Sequence, residues 1–231
     1  MKTRAAKEIA RALIDEGVRY AFGIPGTHNI ELYDVLAGSE GIETVLVTSE
    51  VAGAFVADGY SRSSDDVGVI NVVPGAGVTY SLSGIAEAWM DNVPMVVLAS
   101  GIRSDTGAAL QLHAIDQLAA LRPITKEAVR VERADELYPT IRRAFHTARS
   151  GTPGPVAVEI PAQFFMMRHE IGHVGYEPEP EVRLVPDSEL VERAAAMVAD
   201  CEFPALYLGK GAAGDADLLV PLAEQIAMPV T

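Results

Sequence analysis

The chain has 231 residues and only one cysteine, Cys201, so no internal disulfide can brace it. A lone thiol fits a reducing compartment. Basic residues are scarce: 18 Lys and Arg stand against 32 Asp and Glu, a formal charge of -14. Non-specific nucleic-acid binding needs clustered Lys and Arg, and so does docking on anionic lipid; this balance argues against both. It does not argue against a phosphate ligand, which backbone amides or a metal ion can hold. Long hydrophobic runs are also lacking. None approaches the roughly 20 residues that span a membrane. No apolar signal core follows Lys2, Arg4 and Lys7. The chain is therefore expected in the cytoplasm. Two phosphate-binding signatures are missing as well. No glycine-rich turn ends in Gly-Lys-Ser/Thr, and no strand leads into the GxGxxG fingerprint, which disfavours a nicotinamide-dependent dehydrogenase. His146, His169 and His173 show no metal-ligand spacing and read as solvated helix or linker residues.

What is present is a core. Hydrophobic residues make up 49% of the chain and come in short runs. Helix and strand patterns alternate. Ala6, Ile9, Ala10, Leu13 and Ile14 repeat at helical spacing, and Gly17 stops that helix. Apolar, β-branched stretches at 18–24, 43–49, 67–73, 94–99 and 156–160 read as strands, with 67–73 buried on both faces. Helices are expected over 29–36, 51–62, 77–90 and 134–149, and residues 102–122 read as irregular apart from a helical piece around 114–120. This alternation predicts an α/β fold with a doubly wound parallel sheet over residues 1–170. Residues 171–187, with Gly175, Pro178, Pro180 and Pro186 among several acids, read as a linker. A helix-start signal at Asp187-Ser188 opens a second unit over 188–231, with a helix to about residue 200, a strand over 204–208 and a helix over 215–227. That is too little for an independent core of this type, so the unit reads as the start of a Rossmann-like domain cut short, or as part of a larger assembly.

The segment Thr48-Ser49-Glu50 stands where the buried strand 43–49 hands over to a helix. In open α/β sheets that edge is where ligands sit. A carboxylate there is poorly solvated, lies near the amide donors of a helix N-terminus and can serve as an acid or base. Equally, an acidic residue in a first helical turn can simply favour the helix. Three further strand-to-helix turns carry glycine: Gly23 to His28, Pro74-Gly75-Ala76-Gly77 and Ser100-Gly101. Such glycines let a backbone approach a ligand closely, or simply make an ordinary α/β turn.

Taken in order, several segments resemble the N-terminal pyrimidine-binding domain of the thiamine-diphosphate enzymes, in the group of acetolactate synthases and 2-oxo-acid decarboxylases. The segments are Phe22 to Gly26, Glu50 with Ala57 to Arg62, Val73 to Ala76, Gly84 to Pro94, Arg122 to Lys126 and Gly154 to Pro161. They cover most of residues 1–165. The resemblance implies that Glu50 hydrogen-bonds N1′ of the cofactor's aminopyrimidine and so promotes loss of the thiazolium C2 proton. It implies that Pro25, Gly26, Thr27, Pro74, Gly75 and Ala76 line the pyrimidine. It makes His28 and His113 candidate catalytic residues, since histidine can act as acid or base near neutral pH. The family's Mg²⁺ and diphosphate site lies in a C-terminal domain that this sequence does not contain, so only the pyrimidine end of thiamine diphosphate is expected here. Residues 188–231 resemble the beginning of the family's middle domain, which holds FAD or ADP in some relatives. The chain departs from many acetolactate synthases in having Ser49 and Val51 around Glu50, and Leu112-His113 in place of Phe-Gln.

The expected function is thus the N-terminal part of an enzyme that decarboxylates or carboligates 2-oxo acids, inactive as this chain alone. The alternative is a non-catalytic or split subunit that needs a partner chain with the diphosphate and Mg²⁺ domain. The expected partners are a small 2-oxo acid and either further copies, as a dimer or tetramer, or a diphosphate-binding subunit, with no nucleic acid and no membrane.

Overall fold

The computed structural model describes residues 2–107, 111–172, 174–178, 180 and 185–231. His173 lies outside the described residues, as does part of the stretch read as a linker. The chain divides into two compact units, Met1–Pro180 and Glu181–Thr231.

The first unit is α/β. Its elements are β1 (Lys2–Arg4), α1 (Ala6–Asp15), β2 (Tyr20–Gly23), α2 (Ile30–Ala37), β3 (Glu43–Leu46), α3 (Glu50–Ser63), β4 (Gly68–Val72), α4 (Ala76–Met90) and β5 (Met95–Gly101). They continue with α5 (Gln117–Leu121), β6 (Glu127–Arg130), α6 (Leu137–Arg149), β7 (Pro155–Pro161), α7 (Gln163–Met166) and β8 (Arg168–Glu170). Six strands form one parallel sheet in the order β3-β2-β4-β5-β7-β6. A two-stranded antiparallel sheet joins β1 to β8.

The sheet is covered on both faces, because alternate side chains of its central strands point to opposite sides. Val69, Val96, Leu98, Val156 and Val158 pack with Ile9 and Leu13 of α1, Leu32 and Leu36 of α2, and Ile141 and Phe145 of α6. Ile70, Val72, Val97 and Ala157 pack on the other side with Ala54 of α3, Ile85 and Ala88 of α4, and Leu121 of α5. The expected doubly wound parallel sheet is therefore the observed architecture.

Several details differ from the sequence reading, which also had no β1, α7 or β8. The strand β6 was not expected: it is four residues long and is bounded by Glu127 and Arg130, so it offers no apolar run to recognise. The strand β3 lies at the sheet edge and is not buried; its Leu46 is 69% exposed. An edge strand with β-branched residues reads like a core strand because composition does not report neighbours. In the second unit, residues 204–208 form only an isolated parallel bridge, Leu206 to Val230, between α8 (Ser188–Ala199) and α9 (Ala216–Gln225). Asp187 caps α8 as its position suggested, accepting from Glu189 N at 2.9 Å and Leu190 N at 3.2 Å.

The chain order carries a functional consequence. From β2 the chain moves outward to β3, then returns past β2 to β4 on the other side. The crevice between the carboxyl ends of β2 and β4 is the topological switch point, where open α/β sheets take ligands.

Close packing of α3 on α4 brings Glu50 up to this crevice. A Cβ on Gly84 would lie 2.6 Å from Ala54 Cβ and 2.8 Å from Phe55 N, so only glycine lets the helices approach this closely. Replacing Gly84 by Ala gains about 1 kcal/mol of helix propensity. The overpacking costs about 1–3 kcal/mol. We expect Gly84→Ala to lower stability in urea denaturation by up to about 2 kcal/mol. Gly59, on the same helix α3, has open space around it. Gly59→Ala should instead raise stability by up to about 1 kcal/mol.

Candidate functional site

Three turns meet at the switch point. The turn after β2 carries Pro25, Gly26, Thr27 and His28, and β3 leads through Ser49 to Glu50, the first residue of α3. The turn after β4 carries Pro74, Gly75 and Ala76, with Gly75 as the N-cap of α4.

Val73 locks the first and third turns together. A Cβ on Gly26 would lie 2.7 Å from Val73 Cγ1, and one on Gly77 2.7 Å from Val73 Cγ2. The same Cβ on Gly77 would lie 3.3 Å from Glu50 Oε1. The half-buried Glu50 carboxylate thus stands directly beside the start of α4. Ser49 is the N-cap of α3 and makes no side-chain cap hydrogen bond, and Glu50 is the acidic residue of the first turn.

Beneath the turns lies a buried polar floor that the sequence reading passed over. Asn29 is fully buried; its Oδ1 accepts from Gly26 N at 2.7 Å and its Nδ2 donates to Ile24 O at 3.3 Å. A longer bond of 3.4 Å runs from Asn29 Nδ2 to Asn71 Oδ1. Asn29 therefore holds the Pro25–Gly26 turn closed. Among the described residues, Tyr33 Oη and Asn71 Nδ2 are buried without a hydrogen-bond partner. Burial holds the Tyr33 phenol above its ordinary range, and the charge of Glu50 adds to this while Asn71 opposes it. The available signal was Asn71, a polar residue inside the apolar run 69–73.

The loop after β5 folds back over the third turn. His113 adopts a left-handed backbone, φ 69°, and Gly75 faces it with φ 66°. A Cβ on Gly75 would lie 2.8 Å from His113 O, so this contact requires glycine. His113 reaches His28, the rings meeting edge to face with centroids 5.6 Å apart. Thr27 Oγ1 lies 3.2 Å from His28 Nδ1. Burial lowers the His28 pKa below the ordinary histidine value, and His113 lowers it further, against a weaker pull from Glu31. His28 is thereby held neutral near pH 7. The structure thus brings together every site residue anticipated from the sequence, and adds Asn29, Tyr33, Asn71 and Val73.

Other segments of the pattern lie in the scaffold. Arg62 Nε pairs with Asp58 at 2.8 Å and Arg62 Nη1 with Asp91 at 2.6 Å, tying α3 to the end of α4. Lys126 Nζ donates to Thr147 O and Ser150 O, both at 2.5 Å, closing the C-terminus of α6. His169 lies in β8, away from these turns in the fold, with Nε2 3.1 Å from Gln163 O.

The model of the family described as thiamine pyrophosphate enzyme, N-terminal TPP binding domain, matches residues 3–120. The chain belongs to this family. The match spans all three turns, Glu50 and His113. Among curated relatives, the acetolactate synthase large subunit of Haemophilus influenzae is 32% identical over 237 residues, covering 100% of this chain and 41% of the relative. The acetolactate synthase isozyme 3 large subunit of Escherichia coli is 32% identical, over 97% of this chain and 40% of the relative. A probable 2-ketoarginine decarboxylase of Pseudomonas aeruginosa is 35% identical, over 98% of this chain and 41% of the relative. The chain thus spans about two-fifths of the length of these relatives. Among the described residues, no helix is long and apolar enough to cross a membrane.

The facing histidines make a measurable pair. In NMR titration His28 should titrate below an exposed histidine. His113→Ala removes its electrostatic push on His28 and part of the burial, so both effects should raise the His28 midpoint. An unchanged midpoint would mean that the two rings do not interact in solution.

Proposed function

We propose that this chain is the pyrimidine-binding part of a thiamine-diphosphate enzyme acting on 2-oxo acids, by decarboxylation or carboligation. The observation that carries the reading is Glu50 at the head of α3, its Oε1 facing the Cβ-free surface of Gly77 across the switch point. A flat heteroaromatic ring there needs unspent hydrogen-bonding groups, and Tyr33 Oη and Asn71 Nδ2, which lack a partner among the described residues, supply them, with Tyr33 in the field of Glu50.

When bound, thiamine diphosphate supplies the electron sink that decarboxylation requires. Glu50 would hold a proton at the ring nitrogen N1′. Pro25, Gly26, Thr27, Pro74, Gly75 and Ala76 would line the ring. Asn29 keeps the Pro25–Gly26 turn in place through Gly26 N. His28 and His113 stand at the mouth, where an imidazole can hold or move a proton at the carboxylate or carbonyl oxygen of the 2-oxo acid. A neutral His28 suits the accepting role. The diphosphate and Mg²⁺ would fall to a further domain or a partner subunit. The single cysteine supports a reducing, cytoplasmic setting.

The relatives' names point to both acetolactate synthesis and 2-ketoarginine decarboxylation. The second reading, a split subunit completed by a diphosphate-binding chain, keeps the same roles for Glu50 and its turns.

Glu50→Gln in the full-length protein tests the assignment. Gln keeps the shape and cannot carry the proton, so C2-proton exchange of bound cofactor should fall by about 10²–10⁴-fold with the fold intact. Exchange at the wild-type rate would remove Glu50 from this role. A second expectation concerns assembly. Tyr80 and Met90 of α4 are 62% and 76% exposed, and Trp89 of α4 with Phe55 and Val56 of α3 adds exposed apolar surface. Such a face favours association. Light scattering should therefore report at least a dimer, and substitution of Tyr80 and Met90 by Ser should shift it toward monomer.

A further inference from the structure

Gln117 is the first residue of α5. It is 4% exposed, and both ends of its carboxamide are hydrogen-bonded. Oε1 accepts from Gly75 N at 3.2 Å, and Nε2 donates to Ser100 O at 2.9 Å. One side chain therefore ties three pieces together: the N-cap of α4, the end of β5, and the loop that carries His113. The backbone around it is well anchored, since Asp116 caps α5 by accepting from Ala119 N at 3.0 Å. The groups it serves are buried, so removing the carboxamide leaves Gly75 N and Ser100 O without partners.

This anchorage bears on the strained contact above it. Gly75 and His113 both have positive φ and press against one another. Strained backbone of this kind persists only where the surroundings over-determine it. Asn29 does this for the first turn, and Gln117 is the side chain that does it for the third.

The far side of Gln117 faces a cavity of about 410 Å³, which Ile102, His113, Asp116, Arg130 and Glu159 also line. Glu159 is buried there, with Oε1 3.3 Å from Arg130 Nη2. Burial holds its carboxyl above the ordinary range, with Arg130 and Gln117 opposing and Asp116 and Glu132 reinforcing the rise.

We infer that Gln117 is a positioning residue: its carboxamide sets the Gly75 turn and His113 against the cofactor ring, and both its donor and its acceptor are required. The inference rests on the thiamine-diphosphate reading. Gln117 touches neither ring nor substrate in that reading and acts only through Gly75 and His113.

Two variants of the full-length protein test it. Gln117→Met keeps the length and apolar bulk and loses both hydrogen bonds. It should raise the cofactor concentration needed for half-maximal activity, and lower C2-proton exchange on the order of 10²-fold, the cost of a displacement of about 1 Å. Gln117→Glu separates positioning from packing. The ionised carboxylate can still accept from Gly75 N but meets Ser100 O without a donor. The protonated acid supplies both. The charged groups around the side chain are Glu159 on β7, Arg130 on β6, and Asp116 and His113 on the loop; α4 contributes none at this contact. Burial and the two carboxylates raise the introduced acid's pKa, while Arg130 opposes them. The activity of Gln117→Glu relative to wild type should therefore recover as pH falls, whereas that of Gln117→Met should stay low at every pH. Wild-type exchange in Gln117→Met would overturn the inference, and so would a pH-independent Gln117→Glu ratio. If wild-type protein itself neither binds thiamine diphosphate nor catalyses its C2-proton exchange, the functional reading fails instead.

Discussion

The site depends on a packing constraint: Val73 fits between two turns only because Gly26 and Gly77 lack a Cβ. Either added carbon would lie 2.7 Å from a Val73 methyl, well inside van der Waals contact. With both absent, one branched side chain fixes the distance between the β2 turn and the start of α4. Glu50 inherits that geometry, because Gly77 also forms the wall its carboxylate faces. A small apolar contact thus sets the placement of the group on which the proposed chemistry turns.

Around this apolar wedge the structure spends buried hydrogen bonds on holding backbone. Asn29 closes the first turn through Gly26 N, and Gln117 ties the third through Gly75 N. Both are carboxamides, which offer a donor and an acceptor without a charge. A carboxylate or ammonium in the same places would bring a desolvation penalty into the interior. Tyr33 and Asn71 differ, since each keeps a buried polar atom unpartnered among the described residues. Buried polar groups are paired in most proteins, so unspent ones gathered at a switch point are consistent with a ligand that uses them.

The family pattern divides into residues that hold the fold and residues that face the cleft. Asp58, Arg62 and Asp91 bind α3 to α4, and Lys126 closes α6. Their service to the site is indirect: they fix the helices whose N-termini present Glu50 and Gly75. Among the described residues, the loop with His113 shows no such ion pair at its turn contact. It is held there by Gln117 and the Gly75 fit, and further back by hydrogen bonds from Gln111 to Arg103 O and from Ser104 N to Gln163.

Local chemistry made much of this legible from the sequence. Alternating helical and strand periods marked a doubly wound parallel sheet, because each period reports which faces a segment buries. Glycine and proline marked the three turns, and Glu50 stood out as a carboxylate at a strand-to-helix junction. Strand order, in contrast, was decided by the tertiary structure, since a run such as 43–46 has the same composition at an edge as in the centre. So was β6, whose four residues carry no apolar signature. The pairing of His28 with His113, 85 positions apart, arises only when the β5 loop folds back over Gly75. Tyr33, Asn71 and Gln117 acquire their roles in the same way. A buried hydrogen bond depends on which distant backbone group arrives opposite it, and one-dimensional spacing does not contain that information.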